Sequence, residues 1–276
     1  MRAFRIPAVA VGAALIAALS VLAVPGDTRG GREDRTAAGT GVAQQRARVL
    51  EVLRHDPAAF TQGLEMHGGR LLESTGGFGR SAVSAGKPGG AAMMRTALPD
   101  GYFGEGLTVV GRNLWQLTWR NKVAIERSAQ TLEEIRRVPY PAEGWGICYQ
   151  PDRHRLVSSD GSAWLTFRDP ATLAGTGRVQ VTYPGPESRP VSGLNELECA
   201  GAHVYANVYG SRTIVRIDSG TGHVSARIDC ASLPGTGTYA GVLNGIAALP
   251  QKGQFLITGK NWPQMFRVLF ENTPSP

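Results

Sequence analysis

Cysteine is scarce in this sequence, with three residues among 276. So small a number excludes a scaffold held together by several disulfides, and it excludes a multi-cysteine zinc module. Charged residues make up only 18% of the chain, while hydrophobic residues at 42% are sufficient to form a core. This composition indicates a globular protein rather than a disordered one.

Long helices have little support, because the chain carries 36 glycines and 17 prolines. Each glycine costs a helix interior about 1 kcal/mol relative to alanine, and no window shows a convincing amphipathic helical pattern. Short runs instead alternate apolar and polar residues between Gly- and Asp-containing turns, which is typical of antiparallel strands. We therefore predict an all-β fold, with strands at 113–119, 203–209, 213–218 and 224–229.

The positive charge is concentrated at the N-terminus. Residues 1–48 contain seven arginines and three carboxylates, which accounts for +4 of the formal net charge of +7. The rest of the chain shows no basic stripe of the kind that binds nucleic acid. We therefore expect no nucleic-acid partner.

The first residues have the pattern of a secretory signal. Two arginines precede an apolar run over 6–24, and small residues up to Ala23 form a site that a signal peptidase would cleave. The run is also just long enough to span a membrane. Residues 1–24 are therefore interpreted as a signal peptide or as an uncleaved anchor. We expect the protein to be secreted or extracytoplasmic, and to meet a membrane only if this segment is retained.

Residues 25–48 consist mainly of Gly, Ala, Thr, Arg and Gln, with almost no large apolar side chain. Burial of such a segment does not offset the entropy lost on ordering it. We interpret it as a flexible linker and place the folded domain at 49–276, beginning near Val49.

From this point the chain repeats a short motif. Five segments open with a turn that contains Gly or Asn and lead into a predicted strand, at intervals of about 40–50 residues. Repeats of that length with several short strands are typical of propeller blades, and five fit the domain. The alternative is a β-sandwich or another repeat fold. The matching positions are Gln62, Glu105, Trp145, Asn195 and Asn244.

These openings also hold the candidate functional residues. In a propeller they converge on the mouth of the central channel, where polar groups beside Phe60, Phe103, Trp119 and Tyr209 would form a pocket for a small molecule or a peptide end. Glu105 lies between two glycines in an apolar stretch, where burial would raise its pKa toward a value useful for acid–base chemistry. The alternative for Glu105 is an exposed turn carboxylate or a hydrogen-bonded structural group.

Signals for other chemistries are weak. The five histidines lack metal-ligand spacing, and no nucleophile elbow, phosphate loop or dinucleotide fingerprint is present. We therefore expect no cofactor and no catalytic metal. Cys199 and Cys230 fall in one repeat and are candidates for a disulfide that leaves Cys148 free, although the sequence does not fix the distance between them.

Eight motifs, each weak alone, stand in order and together resemble the plant and bacterial glutaminyl-peptide cyclotransferases, also called glutamine cyclotransferases. The resemblance extends over about residues 50–270. The motifs are HDPxxFTQGL at 55–64, FGEGL at 103–107, QLTW at 116–119, EGWG at 143–146, LNELE at 194–198, ANV at 206–208, LNGIA at 243–247 and TGKxWP at 258–263.

The resemblance implies a five-bladed β-propeller. It also implies an enzyme that converts the N-terminal glutamine of a peptide or protein to pyroglutamate, with release of ammonia and without a metal. Glu105 matches the acid–base residue of the family. The family often has Trp where this chain has Tyr209, which puts substrate preference in doubt. The matching substrate pocket consists of Phe60, Gln62, Phe103, Trp119, Trp145, Asn195, Tyr209 and Lys260.

Two other readings of the same residues stay open. One is a propeller that binds peptide or glycan ends without chemistry. The other is a surface protein tethered by residues 6–24. We expect a monomer in either case.

Overall fold

The structure is a computed structural model that describes residues 41–234 and 241–273. The predicted signal or anchor at 1–24, and the predicted linker as far as residue 40, lie outside the described residues. Within the described ranges the regular secondary structure consists of β-strands and one short 3-10 helix, Pro151–Arg153. The all-β prediction is confirmed. No helix in this part of the chain is long and apolar enough to cross a membrane.

The described chain begins with a long strand, β1 (Ala43–Arg54), and three antiparallel sheets of four consecutive strands follow. The first sheet holds β2 (Thr61–His67), β3 (Arg70–Thr75), β4 (Ala82–Gly86) and β5 (Ala92–Ala97). The second holds β6 (Gly104–Val110), β7 (Asn113–Thr118), β8 (Val123–Ser128) and β9 (Glu134–Pro139). The third holds β10 (Ile147–Gln150), β11 (Arg155–Ser158), β12 (Trp164–Arg168) and β13 (Gly175–Gln180).

The C-terminal strands form a larger sheet. A two-stranded ribbon, β14 (Thr182–Tyr183) and β15 (Arg189–Pro190), precedes it. One half contains β16 (Leu194–Ala200), β17 (His203–Val208), β18 (Thr213–Asp218) and β19 (Val224–Asp229). The other half contains β20 (Leu243–Ala248), β21 (Gln254–Gly259), β22 (Gln264–Asn272) and the early strand β1. The two halves join where β1 pairs in parallel with β19, while its other edge pairs antiparallel with β22.

The folded domain starts earlier than the sequence predicted, because β1 already begins at Ala43. Residues 43–46 pair with β19, and the pairing with β22 extends from Gln45 to Arg54. Within 43–48 only Ala47 is buried, so this stretch has the composition of a linker. The start near Val49 was wrong because hydrogen bonds to two neighbouring strands, rather than apolar side chains, hold these residues in the sheet.

Apolar clusters fill the spaces between successive groups of strands. Leu72 and Val83 of the first sheet, for example, pack with Leu107 and Leu114 of the second. The first strands of the groups also contact one another in a closed circuit, from β2 through β6, β10, β16 and β20 back to β2. The start of every first strand therefore faces a common centre.

One disulfide joins Cys148 on β10 to Cys199 on β16, with the two Cα atoms 5.4 Å apart. Cys230 is buried without a disulfide partner among the described residues. The candidate pair Cys199–Cys230 was wrong for a packing reason. Cys199 packs with Cys148 in the cluster between β10 and β16, whereas Cys230 lies in a different cluster with Trp262 and Phe266.

Candidate active site

Glycines allow the first strands to approach closely at their starting ends. Gly106 N donates a hydrogen bond to Trp145 O at 2.7 Å, and a Cβ on Gly106 would lie 2.6 Å from that oxygen. A Cβ on Gly63 would lie equally close to Leu107 N, at 2.6 Å. No larger residue fits at either point. The side chains that precede these glycines, such as Glu105, are thereby brought to the common centre.

A cavity of about 220 Å³ lies at this junction. The nine residues that line it are the nine predicted site residues, so the structure brings the whole predicted set together. They lie on or next to strands of the three four-stranded sheets and the eight-stranded sheet, which explains their wide separation along the chain. They are Phe60, Gln62, Phe103, Glu105, Trp119, Trp145, Asn195, Tyr209 and Lys260.

Two groups of aromatic rings form the walls. The Phe103 ring lies 6.1 Å from that of Phe60 and 5.6 Å from that of Trp119. In the second group, the rings of Trp145 and Tyr209 meet edge to face at 5.6 Å. Tyr209 thus occupies a wall position beside Trp145 although the family often has Trp there, and more than half of its surface is exposed at the rim.

Glu143 orients both indoles of the cavity and was missed as a site residue. Its Oε2 accepts hydrogen bonds from Trp119 Nε1 at 3.0 Å and Trp145 Nε1 at 3.4 Å, and its Oε1 accepts from Arg120 Nε at 2.9 Å. Burial opposes ionisation, but these hydrogen bonds and the Arg120 charge outweigh it and lower the pKa of Glu143. Its place in the EGWG motif, two residues before Trp145, was the available signal.

Glu105 is buried and held by a chain of amides. Gln62 Nε2 donates to Glu105 Oε1 at 2.9 Å. Asn244 Nδ2 in turn donates to Gln62 Oε1 at 3.1 Å and to Thr61 O at 2.9 Å. These bonds fix the Gln62 amide with its NH2 group toward the carboxyl. Asn244 was recognised only as a repeat position, and the structure makes it the support of Gln62.

Glu105 and Lys260 are an electrostatically coupled pair. Burial raises the pKa of Glu105 well above its usual range, the Lys260 charge opposes this rise, and the Glu143 charge adds to it. Burial lowers the pKa of Lys260 to about 8, against the opposing effect of Glu105. The Lys260 Nζ lies 4.8 Å from the centroid of the Phe60 ring and 5.5 Å from that of Tyr209.

The chemistry open to this arrangement is proton transfer beside hydrogen-bond donors. A carboxyl with a raised pKa exchanges protons with amines more readily, and Gln62, Asn195 and Lys260 supply N–H groups at the same cavity. Among the described residues, no group of three or more His, Cys, Asp or Glu side chains suits a metal ion.

Known proteins are similar to this chain in sequence and in structure. The sequence profile of the glutamine cyclotransferase family matches residues 19–270. A glutaminyl-peptide cyclotransferase of Arabidopsis thaliana is 35% identical over 228 residues, which cover 80% of this chain and 70% of the relative. The crystal structure of Myxococcus xanthus glutaminyl cyclase is similar with a TM-score of 0.77 and 34% identity, over 84% of this chain and 100% of that one. This chain belongs to the glutamine cyclotransferase family.

Proposed function

We propose that this protein is a glutaminyl cyclase, which converts the N-terminal glutamine of peptides or proteins to pyroglutamate and releases ammonia. Its relatives in Arabidopsis thaliana and Myxococcus xanthus carry names for this activity. The observation that carries the proposal is the buried Glu105 carboxyl, hydrogen-bonded to Gln62 inside an aromatic cavity of about 220 Å³.

The reaction takes place within one substrate residue. The neutral α-amine attacks the carbon of the side-chain carboxamide, and a new N–C bond closes a five-membered ring. The amine gives a proton to Glu105, and Glu105 gives a proton to the carboxamide nitrogen. The original C–N bond then breaks, ammonia leaves, and the lactam remains. Protons and atoms balance without any further reactant.

The remaining cavity residues position the substrate and stabilise charge. The rings of Phe60, Phe103, Trp119 and Trp145 hold the glutamine side chain folded back toward its own amine, which supplies proximity. The carboxamide oxygen becomes negatively charged during attack and needs N–H donors. The donors at the cavity are Gln62, Asn195 and Lys260.

We also propose that the all-β fold is a five-bladed propeller. Three groups of four strands are separate sheets, and the eight-stranded sheet divides into two further groups of four where β1 meets β19. The closed circuit of contacts among the five first strands supports this blade count. In such a propeller β1 completes the last blade, so the two ends of the domain lie in one blade.

Ammonia release is the direct test of the activity. The purified protein is incubated with a peptide that begins with Gln, and ammonia and the mass of the product are followed. The same peptide with an acetylated α-amine is the control, because it lacks the nucleophile. We expect ammonia and pyroglutamate only from the free amine. A correctly folded β protein that releases none from any Gln-peptide would favour a propeller that binds peptide ends without chemistry.

We propose further that residues 1–24 direct export of the protein, which then acts as a monomer. The Cys148–Cys199 disulfide supports export, since structural disulfides persist in oxidising compartments. N-terminal sequencing of the protein recovered outside the cytoplasm should find a start just after Ala23. Full-length chain in the membrane fraction would support the anchor instead.

A further inference from the structure

A second, larger cavity lies directly beside the active-site cavity. It is a groove of about 700 Å³ between the first sheet and the strands β1 and β22. Ala59 and Gly76 line it, and both adjoin active-site rings. Ala59 precedes Phe60, and a Cβ on Gly76 would lie 2.2 Å from the Phe103 ring. The two cavities therefore share a wall formed around Phe60 and Phe103.

Small side chains keep the groove open. Alternate residues of β4 point to its two faces. Val83 and Ala85 join the core cluster shared with the second sheet, while Ala82, Ser84 and Gly86 line the groove. The turn between β4 and β5 also lines it with glycine and alanine. Small residues of β4, of β5 and of the turn between them therefore form one side of the groove.

The charged residues of the groove are mainly cationic and unpaired. Besides His55, which pairs with Glu73, four basic side chains line it, and all four are exposed. Within the described residues none of them forms an ion pair with a carboxylate, although six other such pairs are present. The four are Arg54, Arg80, Lys87 and Arg95.

The two carboxylates of the groove are already engaged. Glu73 Oε1 accepts hydrogen bonds from His55 Nε2 at 2.9 Å and from Thr61 Oγ1 at 2.7 Å. Asp56 Oδ1 accepts from Ala58 N at 2.9 Å, within a turn. Glu73 is thus paired with His55, and the four exposed cations outnumber the remaining carboxylate, Asp56, so the net charge offered to an occupant of the groove is positive.

An exposed aromatic residue packs against the wall that the two cavities share. Phe78 is 61% exposed, and its ring packs edge to face against Phe103 at 5.4 Å. Arg80 follows two residues later and packs against the same turn, because a Cβ on Gly77 would lie 2.4 Å from Arg80 Nε. A peptide whose first residue fills the active-site cavity would pass over Phe78 and meet Arg80 next.

We propose that this groove is a subsite for the residues that follow the N-terminal glutamine, and that it favours peptides with acidic side chains at about the third to sixth positions. The proposal rests on the proposed glutaminyl cyclase activity, because it assigns the groove to the same substrate. The wall that the groove shares with the active-site cavity favours this occupant over an unrelated acidic partner.

The test compares two peptides that differ only in charge: Gln-Gly followed by four Asp, and Gln-Gly followed by four Asn. We expect kcat/KM to be about 5- to 10-fold higher for the acidic peptide at low ionic strength, mainly through KM, because exposed ion pairs each contribute modestly. Added salt should remove the advantage. Equal kcat/KM for the two peptides would overturn the subsite, whereas absence of ammonia from both would instead contradict the proposed activity.

A matched pair of variants tests whether the preference for acidic peptides arises from the cations of the groove. Replacing Arg80, Lys87 and Arg95 by Gln should abolish the acidic preference. Replacing Arg153, Arg178 and Lys252 by Gln changes the net charge equally outside the groove and should preserve it. A preference that survives the groove variant, or that disappears in the control, would assign it to the overall field of the protein and overturn the subsite.

Binding measured without turnover keeps the proposal testable if activity is absent. Fluorescence anisotropy of the labelled peptides with Glu105→Gln should give a Kd about 5- to 10-fold lower for the acidic peptide, and equal affinities would overturn the subsite. A third peptide, Asn-Gly followed by four Asp, should bind much more weakly than its Gln counterpart. Equal affinity for those two would identify a separate docking surface for acidic chains and overturn the assignment to substrate.

Discussion

At the residue scale, the Glu105 carboxyl can be replaced by an amide without changing its shape. Glu105→Gln still offers an oxygen to Gln62 Nε2 but no longer exchanges protons. We expect kcat to fall by about 10²–10⁴, the usual contribution of a general acid–base residue, with little change in KM. Thermal stability should be kept or raised, because burial no longer penalises an ionisable group. Steady-state kinetics and a melting curve check this.

Glu65→Gln is the matched control for that variant. Glu65 also carries a carboxyl whose pKa is raised by burial, to about 7, and it accepts a hydrogen bond from Val109 N at 3.1 Å, but it does not line the cavity. We expect it to retain turnover. A fully active Glu105→Gln protein would remove Glu105 from the mechanism, and an unfolded one would make it a structural group.

Lys260 sets the pH range of the reaction through its charge. That charge lowers the pKa of Glu105 against the effect of burial. Lys260→Met removes it, so the pKa of Glu105 should rise and the acid limb of the kcat/KM profile should move to higher pH. Lys252→Met, an exposed lysine outside the cavity, serves as the control. An acid limb that stays in place in Lys260→Met would show that the two groups are not coupled during turnover.

The sequence predicted all nine cavity residues, some from repeat position together with the family motifs and Lys260 from the motifs alone. It missed Glu143 and recognised Asn244 only as a repeat position, because the two act through Trp119, Trp145 and Gln62 rather than by lining the cavity. Such supporting roles depend on hydrogen bonds between segments distant in sequence. A linear pattern therefore does not reveal them.

At the scale of elements, the loop that carries Lys260 is fastened by a buried histidine. His55 Nδ1 lies 2.6 Å from Trp262 O and its Nε2 lies 2.9 Å from Glu73 Oε1. A carbonyl and a carboxylate both accept, so the ring satisfies both when it is protonated and both of its nitrogens donate. Burial opposes this charge, but the hydrogen bond and charge of Glu73 and the Trp262 carbonyl outweigh it and raise the pKa of His55.

His55→Gln should therefore destabilise the protein in a pH-dependent way. Because the pKa of His55 is higher in the folded protein than in the unfolded chain, its protonation stabilises the fold. This stabilisation is fully present below about pH 6.5, the pKa of histidine in an unfolded chain. It is lost as the pH rises through the pKa of His55 in the folded protein. We expect a loss of about 3 kcal/mol at pH 5–6, because Glu73 is left without its partner, and a smaller loss at alkaline pH. Denaturant unfolding at several pH values measures it.

The exposed His223 provides the control, and His223→Gln should change stability little at any pH. A loss in His55→Gln that is independent of pH would mean that His55 acts by packing alone. Activity should also decline in His55→Gln, because Trp262 lies two residues after Lys260.

Strands with strict alternation were predictable to the residue. Thr213–Asp218 and Val224–Asp229 were predicted with the bounds that the structure has. Residues 43–48 of β1 were assigned to the linker because they carry glutamine, arginine and alanine, and their pairing partners lie more than 170 residues away in the sequence. The local alternation of apolar and polar residues predicts a strand only when the strand's own apolar side chains are buried.

At the scale of the whole molecule, β1 ties the beginning of the described chain to its end. A chain that starts at Val49 loses the pairing of residues 43–48 with β19 and β22, while a chain that starts at Gly41 keeps it. We expect the shorter chain to melt several degrees lower, since each kcal/mol shifts Tm by about 2–4 °C in a protein of this size. Equal melting temperatures would show that the pairing of residues 43–48 with β19 and β22 contributes nothing to the stability of the domain.

The disulfide joins β10, which follows Trp145, to β16, which carries Asn195, so it links the site to the stability of the whole domain. It closes a loop with a sequence separation of 51 residues, and its loss should cost about 2–4 kcal/mol. The double variant Cys148→Ala, Cys199→Ala should melt lower yet cyclise glutamine normally well below its Tm.

A peptide map without reductant should link the Cys148 and Cys199 peptides, in wild type and in the control Cys230→Ala alike. A link between Cys199 and Cys230 would contradict this connectivity, and loss of turnover in the folded double variant would mean that the bond also sets the geometry of Trp145 and Asn195.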